Sequence, residues 1–205
     1  MINVSFTYLV LTFALFFATN DDLPVSEVWD IDKSSSMVVI GETNVNSFEC
    51  ILGAYDWGNN LVCYSTQSPG SNKHRILCNF DIPINSFDCG IGMMTKDLRK
   101  TLKSDKHPFL NISLKEMSSL ISNLKNGDLI DTKTDITLSG VKKASIIQFV
   151  VKKNNKNFIS LEGKKTISLS DYNLSPPSKL LGSVKVKDEM VVNIKMKLKK
   201  IKTEV

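Results

Sequence analysis

Apolar and polar residues alternate along most of this chain. From Met190 to Leu198 the alternation is strict. Met190, Val192, Ile194, Met196 and Leu198 fall on one face, with Val191, Asn193, Lys195 and Lys197 on the other, as in a strand with one buried side. Ile76, Cys78, Phe80, Ile82 and Ile84 form a second apolar face, opposite Leu77, Asn79, Asp81 and Pro83. Phe48, Cys50, Leu52 and Ala54 form a third, Leu110, Ile112 and Leu114 a fourth, and Ile130, Thr132, Thr134, Ile136 and Leu138 a fifth. Pro69-Gly70, Ser139-Gly140, Asn154-Asn155 and Pro176-Pro177 read as turns or loops between them. The apolar run Ala144 to Val151 and the segment Phe158 to Leu161 fit the same rhythm. The pattern predicts an all-β domain from about Trp29 to Ile201, an antiparallel sheet closed as a barrel or stacked as a sandwich.

One stretch departs from period two. Between Ile84 and Ile112, Met94, Leu98 and Leu102 recur every fourth residue, giving a single apolar stripe at helical spacing. Thr95 is the expected N-cap, Asp97 falls in the expected first turn, and Arg99, Lys100 and Lys103 gather towards the C-terminal end. Pro108 biases His107 towards an extended conformation and the start of a further strand. The expectation is a short helix over Thr95 to Lys103 that lids one end of a β-structure. Met117 to Leu124 is read as a short second helix.

The leader and the cysteines bear on location. Val4 to Ala18 carries no charge and is rich in Leu, Phe, Val and Ala. The run falls short of the roughly 20 apolar residues that a membrane helix needs, and the polar Asn20-Asp21-Asp22 follows it. Residues 1–20 are therefore expected to be a signal peptide and 21–205 the barrel domain, which is periplasmic or secreted. The four cysteines, Cys50, Cys63, Cys78 and Cys89, contain no C-x-x-C pair. This speaks against zinc and for disulfides in an exported chain. Three connectivities are open. Cys63 and Cys78 flank a turn-rich segment and could face each other across a hairpin, which leaves Cys50 for Cys89; that pairing is the expectation.

Charge and motifs exclude several function classes. The net charge is +5, with lysines concentrated near the C-terminus at Lys185, Lys187, Lys195, Lys197, Lys199, Lys200 and Lys202. They alternate with apolar residues and lack interleaved aromatics, so they read as the solvated face of a strand and not as a nucleic-acid surface. G-x-S-x-G, H-E-x-x-H, the Walker A motif and G-x-G-x-x-G are all missing. Of the two histidines, His74 lies in a polar, turn-rich stretch and is expected at the surface; His107 is expected in the loop leaving the helix. Asp88, Asp97, Asp171 and Asp188 are isolated positions suited to turns and caps. No enzyme, metal site or cofactor is expected.

Four segments in order resemble the YceI-like family, the polyisoprenoid-binding, lipocalin-like bacterial proteins. They are VVIGETNVNSFEC after Met37, NSFDCGIGMMTKDLRKTLKSDKHPFLNI, DITLSGVKKASIIQFVVKK, and ISLSDYNLSPPSKLLGSVKVKDEMVVNIKMKL, which ends at Leu198. Two departures are a longer Lys115–Asp128 segment and Tyr172-Asn173-Leu174 in a closing loop, both expected to border the cavity mouth. The resemblance implies an eight-stranded antiparallel lipocalin-like barrel with one or two short helices and a lumen for a long apolar chain. An eight-stranded barrel is just wide enough to be filled by side chains or to hold one narrow ligand.

The inward-facing candidates for ligand contact are Phe48, Leu52, Ile76, Phe80, Ile82, Leu110, Ile112, Ile136, Met190, Val192, Ile194 and Met196. Thr132 and Thr134 would add hydroxyls to one wall. Two functions stand side by side. One is an exported carrier of an amphiphilic lipid, a long-chain polyisoprenoid or isoprenoid quinone, with transient membrane contact and a homodimer left open. The other is an interaction module with a filled barrel that binds a membrane surface or protein partner through its outer face.

Overall fold

In a computed structural model of the chain, the residues described are 27–53, 55, 57, 62–67, 73–155, 158–179 and 183–201. The expected signal peptide and Lys202 lie outside them, as does Ala54 of the third apolar face. The strands are β1 (Glu27–Ile31), β2 (Ser36–Thr43), β3 (Ser47–Leu52), β4 (Val62–Gln67), β5 (His74–Pro83) and β6 (Phe87–Asp88), followed by β7 (Phe109–Met117), β8 (Leu129–Leu138), β9 (Val141–Asn154), β10 (Phe158–Ser168), β11 (Ser178–Lys179) and β12 (Val184–Lys200). A single helix among the described residues, α1 (Gly92–Thr101), stands between β6 and β7.

Every strand pairing is antiparallel, and the pairings close a ring. The order runs β1-β4-β5-β7-β8-β9-β10-β12, and β12 returns to β1. These eight strands are the expected barrel. The long β12 serves two neighbours: its C-terminal end pairs with β1, as in Trp29↔Lys200, and its N-terminal half pairs with β2, as in Val192↔Val39. The hairpin β2–β3 and the short β6 extend the sheet at that end.

The alternation read from the sequence becomes the inside and outside of this ring. Ile76, Cys78, Phe80 and Ile82 are buried, whereas Leu77, Asn79 and Asp81 are exposed. Along β8, Ile130, Thr132, Thr134, Ile136 and Leu138 are all buried. The apolar run in β9 is also split by the pleat: Ile147, Phe149 and Val151 point in, and Ala144 and Ile146 point out. On β12, Lys195 and Lys199 are solvated, and Lys197 is half-buried with its ammonium 4.8 Å from the centre of the Phe158 ring.

Several expectations are corrected. The helix begins earlier than the sequence suggests. Its N-cap is Ile91, which offers no side-chain hydrogen bond, and Thr95 lies inside the helix. Asp97 is thus beyond the first turn. The helix ends with Lys103 in the left-handed region (φ 53). The Ser104 amide reaches the Arg99 carbonyl and the Lys103 amide reaches that of Lys100, so two orphan carbonyls are satisfied by a Schellman turn that usually employs glycine.

The second helix expected over Met117 to Leu124 is instead the end of β7 followed by a 3₁₀ turn, Ile121–Asn123. His74 does not sit in a turn; it is the first residue of β5 and half-buried. Asp188 lies in β12, where its carboxylate accepts both the amide and the hydroxyl of Ser170, at 2.9 and 2.6 Å.

Cys50 and Cys89 form a disulfide across a sequence separation of 39. The register Tyr64↔Leu77 puts Cys63 one step further along, beside the buried Cys78. The side chain of Cys63 lies outside those described.

Candidate functional site

The barrel interior divides into two unlike halves. At the end covered by α1 there is a cavity of about 270 Å³. Towards the other end, the described residues enclose small voids of about 10 Å³ each. That end is closed by the turn after β7, which buries Ile121 and Leu124 as a plug. The carboxylate of Glu27, only 4 % exposed, holds the plug: it accepts the Ser122 amide at 3.1 Å and the Trp29 indole N–H at 3.0 Å.

Helix α1 roofs the cavity because one stripe of it is apolar. Met94, Leu98 and Leu102 all line the space and are only half-buried. The helix is fastened at both ends. Before it, the disulfide joins Cys89 to Cys50 of β3, and Ile51↔Asp88 and Leu52↔Phe87 continue the sheet. The Thr95 hydroxyl accepts the Cys89 amide and donates to Asp88 Oδ1, both at 3.0 Å. After the helix, the Ser139 hydroxyl donates to the Leu102 carbonyl at 2.7 Å, and Lys103 Nζ reaches the Asn173 carbonyl at 3.3 Å. The His107 ring lies against Gly140, where an added Cβ would come within 2.8 Å of it. His107 is therefore a packing residue in the loop after the helix.

Walls and rim come from separate elements. Val39 of β2, Leu110 of β7, Leu138 of β8 and Val192 of β12 form part of the apolar wall. Thr43 and Asn46 stand at the rim in the β2–β3 turn, and Asp97 and Thr101 stand on α1. The Thr43 hydroxyl donates to Asn46 Oδ1 at 2.7 Å and closes that turn. Asn44 ties the turn to the start of β12, donating to the Ser183 carbonyl and accepting the Lys185 amide, both at 2.9 Å. Beside the rim, Lys187 Nζ lies 2.6 Å from Glu42 Oε2. This hydrogen bond and the accompanying charge hold the Glu42 carboxyl below its usual range and the Lys187 ammonium above its own. Tyr172, buried in the 3₁₀ turn after β10, has its phenol raised by burial and then by Asp171.

The candidate residues separate by depth. Phe48, Leu110, Met190 and Val192 line the cavity. Phe80, Ile82, Ile112, Ile194 and Met196 border one small void, and Ile76 borders the other together with Met196. Leu52 and Ile136 are core residues. Of the two departures, Tyr172-Asn173-Leu174 is at the cavity end, following the wall residue Leu169. Lys115–Asp128 is at the plugged end, which corrects the expectation that it borders the mouth. Val39, Leu138, Ile167 and the helix residues also line the cavity although they are not among the sequence candidates for ligand contact; the Met94–Leu98–Leu102 stripe is the signal that marks the roof. Among the described residues, no cluster of His, Cys, Asp and Glu is arranged to hold a metal.

The family profile for the YceI-like domain matches residues 29–198. No curated protein matches the chain. Solved structures match by fold. BcnA of Burkholderia cenocepacia aligns at TM-score 0.60 and 15% identity over 82% of this chain and 99% of its own. A polyisoprenoid binding domain from Saccharophagus degradans, implicated in plant cell wall breakdown, aligns at TM-score 0.61 and 14% identity over 84% and 98%. The YCEI protein of Campylobacter jejuni aligns at TM-score 0.51 and 16% identity over 72% and 87%.

Proposed function

The chain belongs to the YceI-like domain family, and from that premise we propose that it is an exported carrier of an amphiphilic lipid, an isoprenoid or isoprenoid quinone foremost. The apolar tail occupies the cavity beneath α1, and the head group remains at the rim near Thr43, Asn46, Asp97 and Thr101. A long chain keeps its remainder beyond the mouth. The observation that carries this reading is the cavity itself, about 270 Å³ with a lining that is apolar apart from those rim residues. Ligand pockets are of this character, a mostly apolar concavity with a few placed polar groups. Each methylene buried there contributes about 0.8 kcal/mol, so a tail can be retained without a charged anchor. The polyisoprenoid binding domain of Saccharophagus degradans supports the choice of ligand class.

The proposed export to the periplasm or the medium is supported by the uncharged leader and by the Cys50–Cys89 disulfide. Exposed Val45, Ile91 and Met93 flank the rim and give it an apolar margin for transient contact with a membrane.

Native mass spectrometry of the purified protein, followed by organic extraction, tests the reading. Wild type is expected to carry one amphiphile. Val192→Phe, which fills the cavity, is expected to lose it, whereas Lys195→Glu on the outer face of the same strand keeps it. Folded Val192→Phe that retains lipid, or wild type that never carries any, would favour the interaction module that acts through its outer surface.

A further inference from the structure

We infer that the cavity is a length-limited socket, which admits the terminal segment of a linear hydrocarbon chain and stops it at a layer of isoleucines. The inference rests on the lipid-carrier reading above and adds a limit to it. On several sides of the barrel, the residue that lines the cavity is followed two positions deeper by an isoleucine. Ile84 is backed by Ile82, Leu110 by Ile112, Leu138 by Ile136, and Val192 by Ile194. Two residues along a strand span about 6.6 Å, so these side chains form the next layer down. Their exposures are 0 %, 6 %, 2 % and 7 %. Ile112 and Ile136 face each other directly as register partners on β7 and β8.

A stop of this composition is firm. A branched Cβ restricts isoleucine at χ1, so these four side chains are held in place. The layer also contains Met37, the register partner of Ile194 two positions below Val39, which is itself fully buried. Among the described residues, the packing beneath it leaves no room for a chain. The voids there are about 10 Å³ each, at the lower limit for a single water molecule. Phe149 borders both and occupies the space left by Gly163, where an added Cβ would lie 2.6 Å from its ring. A longer tail would have to displace this packed core. Its additional methylenes instead remain in the mouth, where little further surface leaves water.

The consequence is a break in the relation between affinity and length. Linear primary alcohols of increasing length, titrated calorimetrically into the intact protein, are expected to bind about fourfold more tightly per added methylene, the factor equivalent to burying one CH₂. Beyond the length that fills the cavity, the gain is expected to vanish. Ile112→Ala should move the break to longer chains and Leu110→Phe to shorter ones. Circular dichroism establishes that each variant is folded. Leu110 is only half-buried, so its variant decides the matter even if Ile112→Ala does not fold. Affinity that keeps rising without a break, or a break that stays at the same length in the folded variants, would overturn the socket while leaving the carrier standing. Failure of every alcohol to bind wild type would instead remove the carrier reading, and the socket with it.

Discussion

The two halves of the barrel are built from the same strands with the same alternation, yet one is hollow and the other solid. The difference is side-chain volume and what closes each end. In the solid half, Trp57, Phe80, Phe149 and Met196 meet across the axis, and Ile121 and Leu124 fill the end. Phe149 and Ile147 are 1 % exposed. In the hollow half, Val39, Val186 and Val192 stand where larger residues would be needed, and the roof is a helix on separate fastenings. Val39, Leu98, Leu102 and Leu110 remain half-buried although they face inward. On the carrier reading, stability and binding fall at different depths of one barrel. Interior packing normally leaves few voids larger than a water molecule, which makes the hollow half the exception to be explained by function.

Truncation should separate the halves most sharply. Phe149→Ala removes a ring that touches both small voids and is expected to cost about 3–5 kcal/mol. Leu110→Ala removes a group that already borders empty space, so its loss is expected to be about 1–2 kcal/mol, since the cost depends on how much packing surrounds the site. Urea unfolding of both variants measures this. Equal losses would mean that the two halves are equally packed in solution.

The disulfide provides a second contrast. Cys89→Ser is expected to cost about 2–4 kcal/mol, the usual range for a loop of this kind. The local consequence should be uneven, because Cys89 immediately precedes the roof and the lower strands do not depend on it. Hydrogen exchange is expected to accelerate in α1 and β6 while β8 and β9 keep their protection. Uniform acceleration would show that the roof is no separate unit. Peptide mapping of the protein without reduction should return Cys50–Cys89 together with Cys63–Cys78, the pairing expected from the sequence.

Much of this fold was legible in advance, because period-two alternation reports which face of a strand is buried. It carried the apolar faces, the antiparallel sheet and the outward lysines of β12, but left barrel and sandwich open; the barrel was implied by the family resemblance. Alternation reports facing but not depth or volume. Val192 and Ile194 look equivalent in the sequence, yet one lines the cavity and the other lies beneath it. The helix was visible in Met94, Leu98 and Leu102, but its start was misplaced because Thr95 has the chemistry of a cap. Its hydroxyl is used by Cys89 and Asp88 instead, partners that the fold supplies. Ile121 and Leu124 have spacing that suits a helix as well as the 3₁₀ turn that Ile121 begins and Leu124 caps, so the sequence of the plug also fits a helix.

A smaller effect, of opposite sign, is expected in the solid half. Thr132 is fully buried, and its Oγ1 has no hydrogen-bond partner, in a void lined by Ile76, Leu114, Phe149 and Met196. A buried hydroxyl without a partner carries a desolvation cost. Thr132→Val keeps the shape and removes that cost, so it is expected to stabilise by about 1 kcal/mol. A loss of stability in thermal unfolding would mean that the hydroxyl has a partner in solution. In the hollow half, Thr43 stands at the rim with its hydroxyl already bonded to Asn46, so the same exchange there should yield no gain because it breaks that bond.

The smallest effect concerns the edge of the hollow half, where Lys187 of β12 meets Glu42 of β2 at 2.6 Å. The Glu42 carboxyl is held below the usual glutamate value of 4.5 by this bond. A lowered carboxyl stabilises the fold at pH above its unfolded value and loses that contribution as pH falls through the folded one. Lys187 is raised above 10.5, so its contribution is complete below that pH and is lost as pH rises through the folded value. The pair is therefore intact across neutral pH. Both groups are exposed, however, and exposed pairs contribute little and are screened by salt. The difference in melting temperature between wild type and Glu42→Gln should be slightly positive at neutral pH in low salt. It should close as the pH falls below 4.5 and disappear in high salt. A difference that widens in acid would reverse the sign of the coupling and require a second group near Glu42. A difference that survives high salt would show that the rim is drier than its exposure implies, and would bring the edge of the hollow half closer in character to the solid one.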